Sequence, residues 1–147
     1  MSDCTICERV RLAKEGKNSF LIHEFKNSFL VLGDHQLYKG YSLLIFKRHV
    51  RELHELSADT QQALFKELMI AGKAVNDAFK PRKMNYSCYG NQVPHIHWHI
   101  FPRYESDPNY LSTPWSNATQ FENHPTLEAD KIQGIQLIRS KLNKTVI

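Results

Sequence analysis

Three histidines alternate with large apolar residues over Pro94-His95-Ile96-His97-Trp98-His99-Ile100-Phe101-Pro102-Arg103. Imidazoles in such a group can ligate a metal, or act as neutral nucleophiles near pH 7. The alternation has the two-residue period of a β-strand, which sets His95, His97 and His99 on one face and Ile96, Trp98 and Ile100 toward a core. Same-face neighbours along a strand are roughly 6.6 Å apart, so the first and third imidazoles start roughly 13 Å apart. Zinc–nitrogen bonds are about 2.0 Å long, so two neighbouring histidines can share a metal but all three can hardly do so from a flat strand. At least one imidazole is left for other work. His97, the central one, suits attack on a phosphate, because a neutral imidazole offers no negative charge for phosphate oxygens to repel. Its useful tautomer needs the other ring nitrogen held, usually by a carbonyl oxygen. Arg103, on the same nominal face, could assist if the strand runs that far. His23, His35, His54 and His124 read as surface or satisfied core residues.

A second set of chemically able residues is Cys4-Thr5-Ile6-Cys7. Such a pair can be a redox couple, half of a metal site, or neither; the redox reading wants a preceding strand in a βαβ unit, which is not in evidence. Cys88 reads as a small buried residue inside a strand. Three cysteines are too few for a disulfide scaffold and point to a reducing, cytoplasmic compartment. The chain opens without the basic and then apolar stretch of a secretory leader, and no run reaches the roughly 18 apolar residues of a membrane span. A net charge of +4 suits a phosphate-bearing ligand. Lys and Arg are scattered rather than clustered, which argues against duplex nucleic acid as a partner.

The elements that must position these residues can be taken in order. The 147 residues are read as a single domain. Ile6, Val10 and Ala13 have the spacing of a short amphipathic helix stopped by Gly16. Asn18 to Phe25 and Ser28 to Leu32 read as strands joined by a Lys26-Asn27 turn. Lys39-Gly40 turns the chain into a third strand, Tyr41 to Lys47. A long helix is expected from Ala58 to Lys80, capped by Ser57, with an apolar stripe of Leu64, Leu68, Ala71, Val75 and Phe79, and stopped by Pro81. Met84 to Tyr89 reads as a strand, Gly90-Asn91-Gln92 as a turn, and the histidine strand follows. The fold class is therefore α+β, with about five antiparallel strands around one long helix. Tyr104 to Pro125 is a long loop in which Trp115 and Phe121 act as anchors. A C-terminal helix over Leu127 to Leu142 is capped by Thr126.

His95 to Phe101 resembles the alternating histidine signature of the histidine triad (HIT) family. The likeness extends to Tyr41–Val50, similar to the family's turn, apolar strand and Lys-x-His segment, and to the hairpin at Phe20 to Asp34, the long helix and Asn85. It covers a core of residues 4–103; the tail, 104–147, resembles bacterial branches of the family. The resemblance implies a HIT-like fold and a nucleotidyl hydrolase or transferase acting on nucleoside phosphates, such as a dinucleoside polyphosphate, through a covalent nucleotidyl-histidine. By position, His97 would be the nucleophile and His99 a contact to the phosphate and leaving group. The backbone around His95 would orient His97. Asn85 and Gln92 would lie near the phosphate and Asp34 near the ribose hydroxyls. Gln92 stands where many members have Ser or Thr, and Asn91 where Gln is frequent.

Members with an N-terminal Cys-x-x-C also resemble related uridylyltransferases, in which two Cys, a distant His and the first triad His bind zinc. The matching positions are Cys4, Cys7, His49 and His95, which would hold a structural zinc; no organic cofactor is implied. The implied partners are a purine nucleotide substrate and a second copy of the chain in a homodimer, with no membrane. Two rivals stand beside this reading: a metal-dependent hydrolase that uses the triad as ligands, and a non-catalytic nucleotide-binding protein.

Overall fold

The structure, a computed structural model, describes residues 3–143. Five strands, β1 (Leu21–Glu24), β2 (Ser28–Leu32), β3 (Ser42–Phe46), β4 (Lys83–Ser87) and β5 (His97–Arg103), accompany three α-helices. These are α1 (Thr5–Lys14), α2 (Ala58–Phe79) and α3 (Glu128–Leu142). The strands form one antiparallel sheet in the order β1-β2-β3-β5-β4. The α+β class expected from the sequence is the one observed. No described helix is long and apolar enough to cross a membrane.

The central strands β2 and β3 are buried at every position because both faces of the sheet are covered. On one face α2 and α3 pack over Leu30, Leu32, Leu44, Phe46 and Ile100. On the other, α1 packs over Phe29, Val31, Leu43, Ile45 and Phe101, joined by Trp115 and Phe121 from the C-terminal segment. Two covered faces account for the nearly continuous apolar runs of these strands.

Helix α2 follows its sequence signals. Ser57 accepts the Thr60 N–H at 3.3 Å, and Lys80 leaves the helix with a left-handed φ of 49° ahead of Pro81. Glu67, buried in the middle of α2, docks the hairpin between β1 and β2. Its carboxylate accepts the Asn27 backbone N–H at 2.9 Å, the Asn27 amide at 3.0 Å and the Ser28 hydroxyl at 2.5 Å.

Several boundaries differ from expectation, most of them for a local reason. β1 begins at Leu21 rather than Asn18, because Asn18 Oδ1 accepts the Phe20 N–H at 3.0 Å and turns the chain before the ladder starts. β4 ends at Ser87, so Cys88 lies beyond the strand and is half-buried, not inside it. β5 begins at His97, because a tight turn closed by His95 N–H to the Val93 carbonyl, 2.8 Å, bends the chain at Pro94. Thr126 does not cap α3; Leu127 holds that position, and the Thr126 hydroxyl donates to the Gly33 carbonyl at 2.6 Å.

The long segment after β5 is ordered by one residue. Arg103, 1% exposed, aims all of its side-chain donors at acceptors: Asp107 Oδ2 at 3.1 Å, Asn85 Oδ1 at 2.9 Å, and the carbonyls of Ser112, Asn109 and Tyr110 at 2.8, 3.3 and 3.2 Å. Its guanidinium also lies 4.8 Å from the Tyr38 ring centroid. Beyond it, turns of 3₁₀ helix over Pro114–Asn123 seat Trp115 and Phe121 on the sheet.

A candidate metal group beside a histidine groove

Cys4 is the N-cap of α1 and accepts the Cys7 N–H on its sulfur at 3.4 Å. One helical turn sets the two sulfurs side by side against the bend at His95. His49 follows β3, and its ring meets that of His95 edge to face at 5.1 Å. Cys4 Sγ and Cys7 Sγ lie 3.6 and 3.5 Å from His95 Nδ1. His49 Nδ1 lies 3.2 Å from Cys7 Sγ and 3.3 Å from His95 Nδ1. All four donor atoms fall within 4.8 Å of one another. Bonds of about 2.0 Å to nitrogen and 2.3 Å to sulfur give tetrahedral edges of about 3.3 to 3.8 Å, close to the 3.2 to 3.6 Å of these four contacts. His95 is in the required tautomer: its Nε2–H donates to the Phe46 carbonyl at 2.7 Å, which leaves Nδ1 as a lone pair facing the sulfurs. Burial lowers the pKa of His95 and so favours the neutral, ligating form. Burial, and then the adjacent Cys4 sulfur, pushes the Cys7 thiol up, so its thiolate needs the field of a cation. Cys4, Cys7, His49 and His95 thus form a possible metal-binding site.

His97 and His99 face elsewhere. They line a groove of about 440 Å³ with Thr113, Trp115 and the Tyr89–Val93 turn, which includes Gln92. The His97 Nδ1–H donates to the His95 carbonyl at 2.6 Å, leaving Nε2 as a lone pair. The His99 ring stands 5.0 Å from that of His97, and its Nδ1 is 2.6 Å from the Tyr41 hydroxyl. Burial, with a smaller contribution from His97, drives His99 down to about 3, so it is neutral at pH 7. A cavity of similar size, about 430 Å³, opens between Gln36, Lys39, Phe79 and α3 and contains no histidine.

The bend at Pro94 therefore divides the triad: His95 joins the cysteines while His97 and His99 open on the groove. The expectation of three imidazoles on one strand face is corrected accordingly. Asn85 borders an adjoining groove rather than the histidine one, with Oδ1 committed to Arg103. Arg103 is consumed by the loop and does not reach toward the histidines as the sequence suggested. Asp34 is 61% exposed and paired with Arg9 at 3.0 Å. His35 is half-buried: it is stacked between Tyr41 and Phe121 at 4.5 and 4.0 Å, and burial holds it down at about 4. Sequence reasoning did not place Tyr41, Thr113 or Trp115 beside the histidines. Tyr41 had a signal, because β3 pairs Leu43 with His99 and Ile45 with His97, and strand parity puts Tyr41 on their face.

The HIT domain family model matches residues 14–106. The chain belongs to the HIT family. Protein hit of Bacillus subtilis (strain 168) is 28% identical over 88 residues, 56% of this chain and 61% of that protein. Adenylylsulfatase HINT3 of Arabidopsis thaliana is 28% identical over 112 residues, 72% of this chain and 55% of that protein. The matches thus span about three-fifths or less of these relatives' own lengths. Among solved structures, a histidine triad protein of Sinorhizobium meliloti 1021 shares the fold with a TM-score of 0.76 at 24% identity, covering 96% of this chain and 98% of that one. A Zn-bound histidine triad family protein of Mycobacterium smegmatis does so with a TM-score of 0.69 at 19% identity, covering 97% and 95%. These likenesses establish the HIT fold for this chain.

Proposed function

We propose that this chain is a nucleotidyl hydrolase or transferase that cleaves phosphoanhydride or phosphoramidate bonds of nucleoside phosphates, purine nucleotides among them, through a covalent intermediate on His97. The observation that carries the reading is the 2.6 Å bond from His97 Nδ1–H to the His95 carbonyl, which leaves the Nε2 lone pair in the groove. Nε2 attacks the α-phosphorus; the new P–N bond forms as the leaving-group bond breaks, and its electron pair departs with the leaving oxygen or nitrogen, which takes up a proton. Water then adds to phosphorus and releases a proton to solvent, the P–N bond breaks, and the lone pair returns to Nε2. Two displacements in place of one suit a groove lined by no carboxylate. His99 and Gln92 face the same groove and are the candidates to meet phosphoryl or leaving-group atoms. Asp34, exposed and paired with Arg9, is the candidate for the ribose hydroxyls. Asn85, bonded to Arg103, would act on the substrate only by supporting the groove wall. The name of the Arabidopsis relative, an adenylylsulfatase, is compatible with this reaction class.

Cys4, Cys7, His49 and His95 would hold a structural zinc, which fixes the chain at His95 and takes no part in bond cleavage. The rival in which the triad ligates a catalytic ion is disfavoured because, among the described residues, the only such donor group takes His95 alone from the triad. A homodimer would cover Phe65 and Met69 of α2 and Tyr86 of the edge strand β4, apolar side chains that are 57, 38 and 38% exposed. Three free cysteines fit a cytoplasmic setting.

Incubation with dinucleoside polyphosphates, nucleoside phosphoramidates and adenylylated amines, followed by intact mass, should reveal a nucleotidyl adduct that maps to His97. His97→Asn should keep nucleotide affinity within about tenfold while kcat falls by several orders of magnitude. Near-normal turnover by His97→Asn would refute the covalent route. Binding without turnover by the wild type on every substrate would favour the non-catalytic reading.

A further inference from the structure

The Tyr41 hydroxyl lies 2.6 Å from His99 Nδ1. The Tyr41 ring is 3% exposed and packs nearly parallel to the rings of Phe101 and His35, with centroids 4.3 and 4.5 Å away. Gly33 makes room for it: a Cβ there would come within 2.3 Å of Tyr41 Cδ1. Two hydrogen-bond directions fit the distance. If His99 Nδ1–H donated, the buried phenolic proton would lose its acceptor, at about 1–3 kcal/mol. If the phenol donates, both groups are satisfied. Burial raises Tyr41 above its ordinary range and lowers His99, so both stay neutral near pH 7.

We propose that Tyr41, seated over Gly33, is a positioning residue that fixes His99 as its Nε2–H tautomer and so makes the third histidine a neutral hydrogen-bond donor into the groove. His97 and His99 then carry opposite tautomers on one wall. The first presents a lone pair that can attack, and the second an N–H that can hold a phosphoryl or leaving-group atom without giving up its proton. The kinetic consequence rests on the reading of His97 as the nucleophile; the tautomer does not.

The test is a long-range ¹⁵N–¹H correlation spectrum of histidine-labelled protein near pH 7.5, with adenosine 5′-phosphoramidate as the kinetic probe. Wild-type His99 should show its proton on Nε2. Tyr41→Phe should show mixed tautomers at His99, with kcat lowered about 10- to 100-fold and KM within about threefold. A wild-type Nδ1–H or doubly protonated His99 overturns the proposal, and needs no variant to fold. So does a Tyr41→Phe protein that keeps a pure Nε2–H tautomer or full kcat. An Nε2–H signal in wild type that Tyr41→Phe scrambles, in a protein that turns over no nucleotide, upholds the proposal and removes the nucleotidyl-transfer reading instead.

Discussion

Replacing Arg103 with Lys should uncouple the segment after β5 from the sheet. The guanidinium serves five acceptors: Asp107, Asn85 and the carbonyls of Asn109, Tyr110 and Ser112. A lysine ammonium has three donors on one atom, so at least two of these acceptors lose their partner. At about 1–3 kcal/mol for each buried unsatisfied group, the cost is about 2–6 kcal/mol. Breaking a buried ion pair gives a similar figure, about 3–5 kcal/mol, and Asp107 is only 7% exposed. With a urea dependence of about 2 kcal/mol per molar, a loss of about 4 kcal/mol lowers the unfolding midpoint by about 2 M. If the segment opens separately from the core, the global midpoint moves less. The change is then local, as lost hydrogen-exchange protection at Tyr104 N–H, which donates to Asp107 at 2.7 Å, and at Ser112 N–H, which donates to Asn109. Because Thr113 and Trp115 wall the histidine groove, KM should rise in either case. An Arg103→Lys protein with an unchanged midpoint and unchanged protection at both amides would refute the reasoning.

Glu67→Ala removes the acceptor for three donors of the β1–β2 hairpin and should lower stability by about 2–4 kcal/mol in chemical denaturation, whereas an effect under about 1 kcal/mol would show that water replaces it. Protein purified without added metal should contain about one zinc per chain by elemental analysis, and Cys7→Ala should lose it; metal-free wild type of unchanged stability would count against the site. Stability should also fall as the pH drops from about 6.5 toward 4. His35 and His99, held at about 4 and about 3 when folded, regain their ordinary values on unfolding, so over that interval the unfolded chain binds more protons. Midpoints measured at several pH values should rise with pH through this window and level off above it; a flat profile would mean that neither imidazole is held neutral.

Much of the architecture was legible because its signals are local. Ser57, the stripe from Leu64 to Val75 and Pro81 set α2 to within a residue of its observed end. The Lys26-Asn27 turn and the apolar runs around it set the hairpin. The alternation of His95, His97 and His99 pointed to the right stretch, but a strand template could not foresee the three-residue turn at Pro94 that aims His95 away from the other two. The partners of Asn85 and Arg103 were hidden for a different reason. Which acceptors they meet depends on the path of residues 104–112, and that path is itself set by Arg103, a circular dependence that no window of sequence contains. Trp115 and Phe121 could be marked as anchors, but not their landing place beside His99 and His35.

The acceptor that orients His97 is a peptide carbonyl, a group every amino acid brings with it. No single side-chain replacement at position 95 can delete it, so the tautomer of His97 is insulated from point mutation in a way that an Asp- or Glu-oriented histidine is not. What can disturb it is a shift of the backbone, and the Val93–His95 turn is the place where one would begin. Sequence drift at position 95 could thus forfeit a member of the possible metal site and still leave the acceptor for His97 in place.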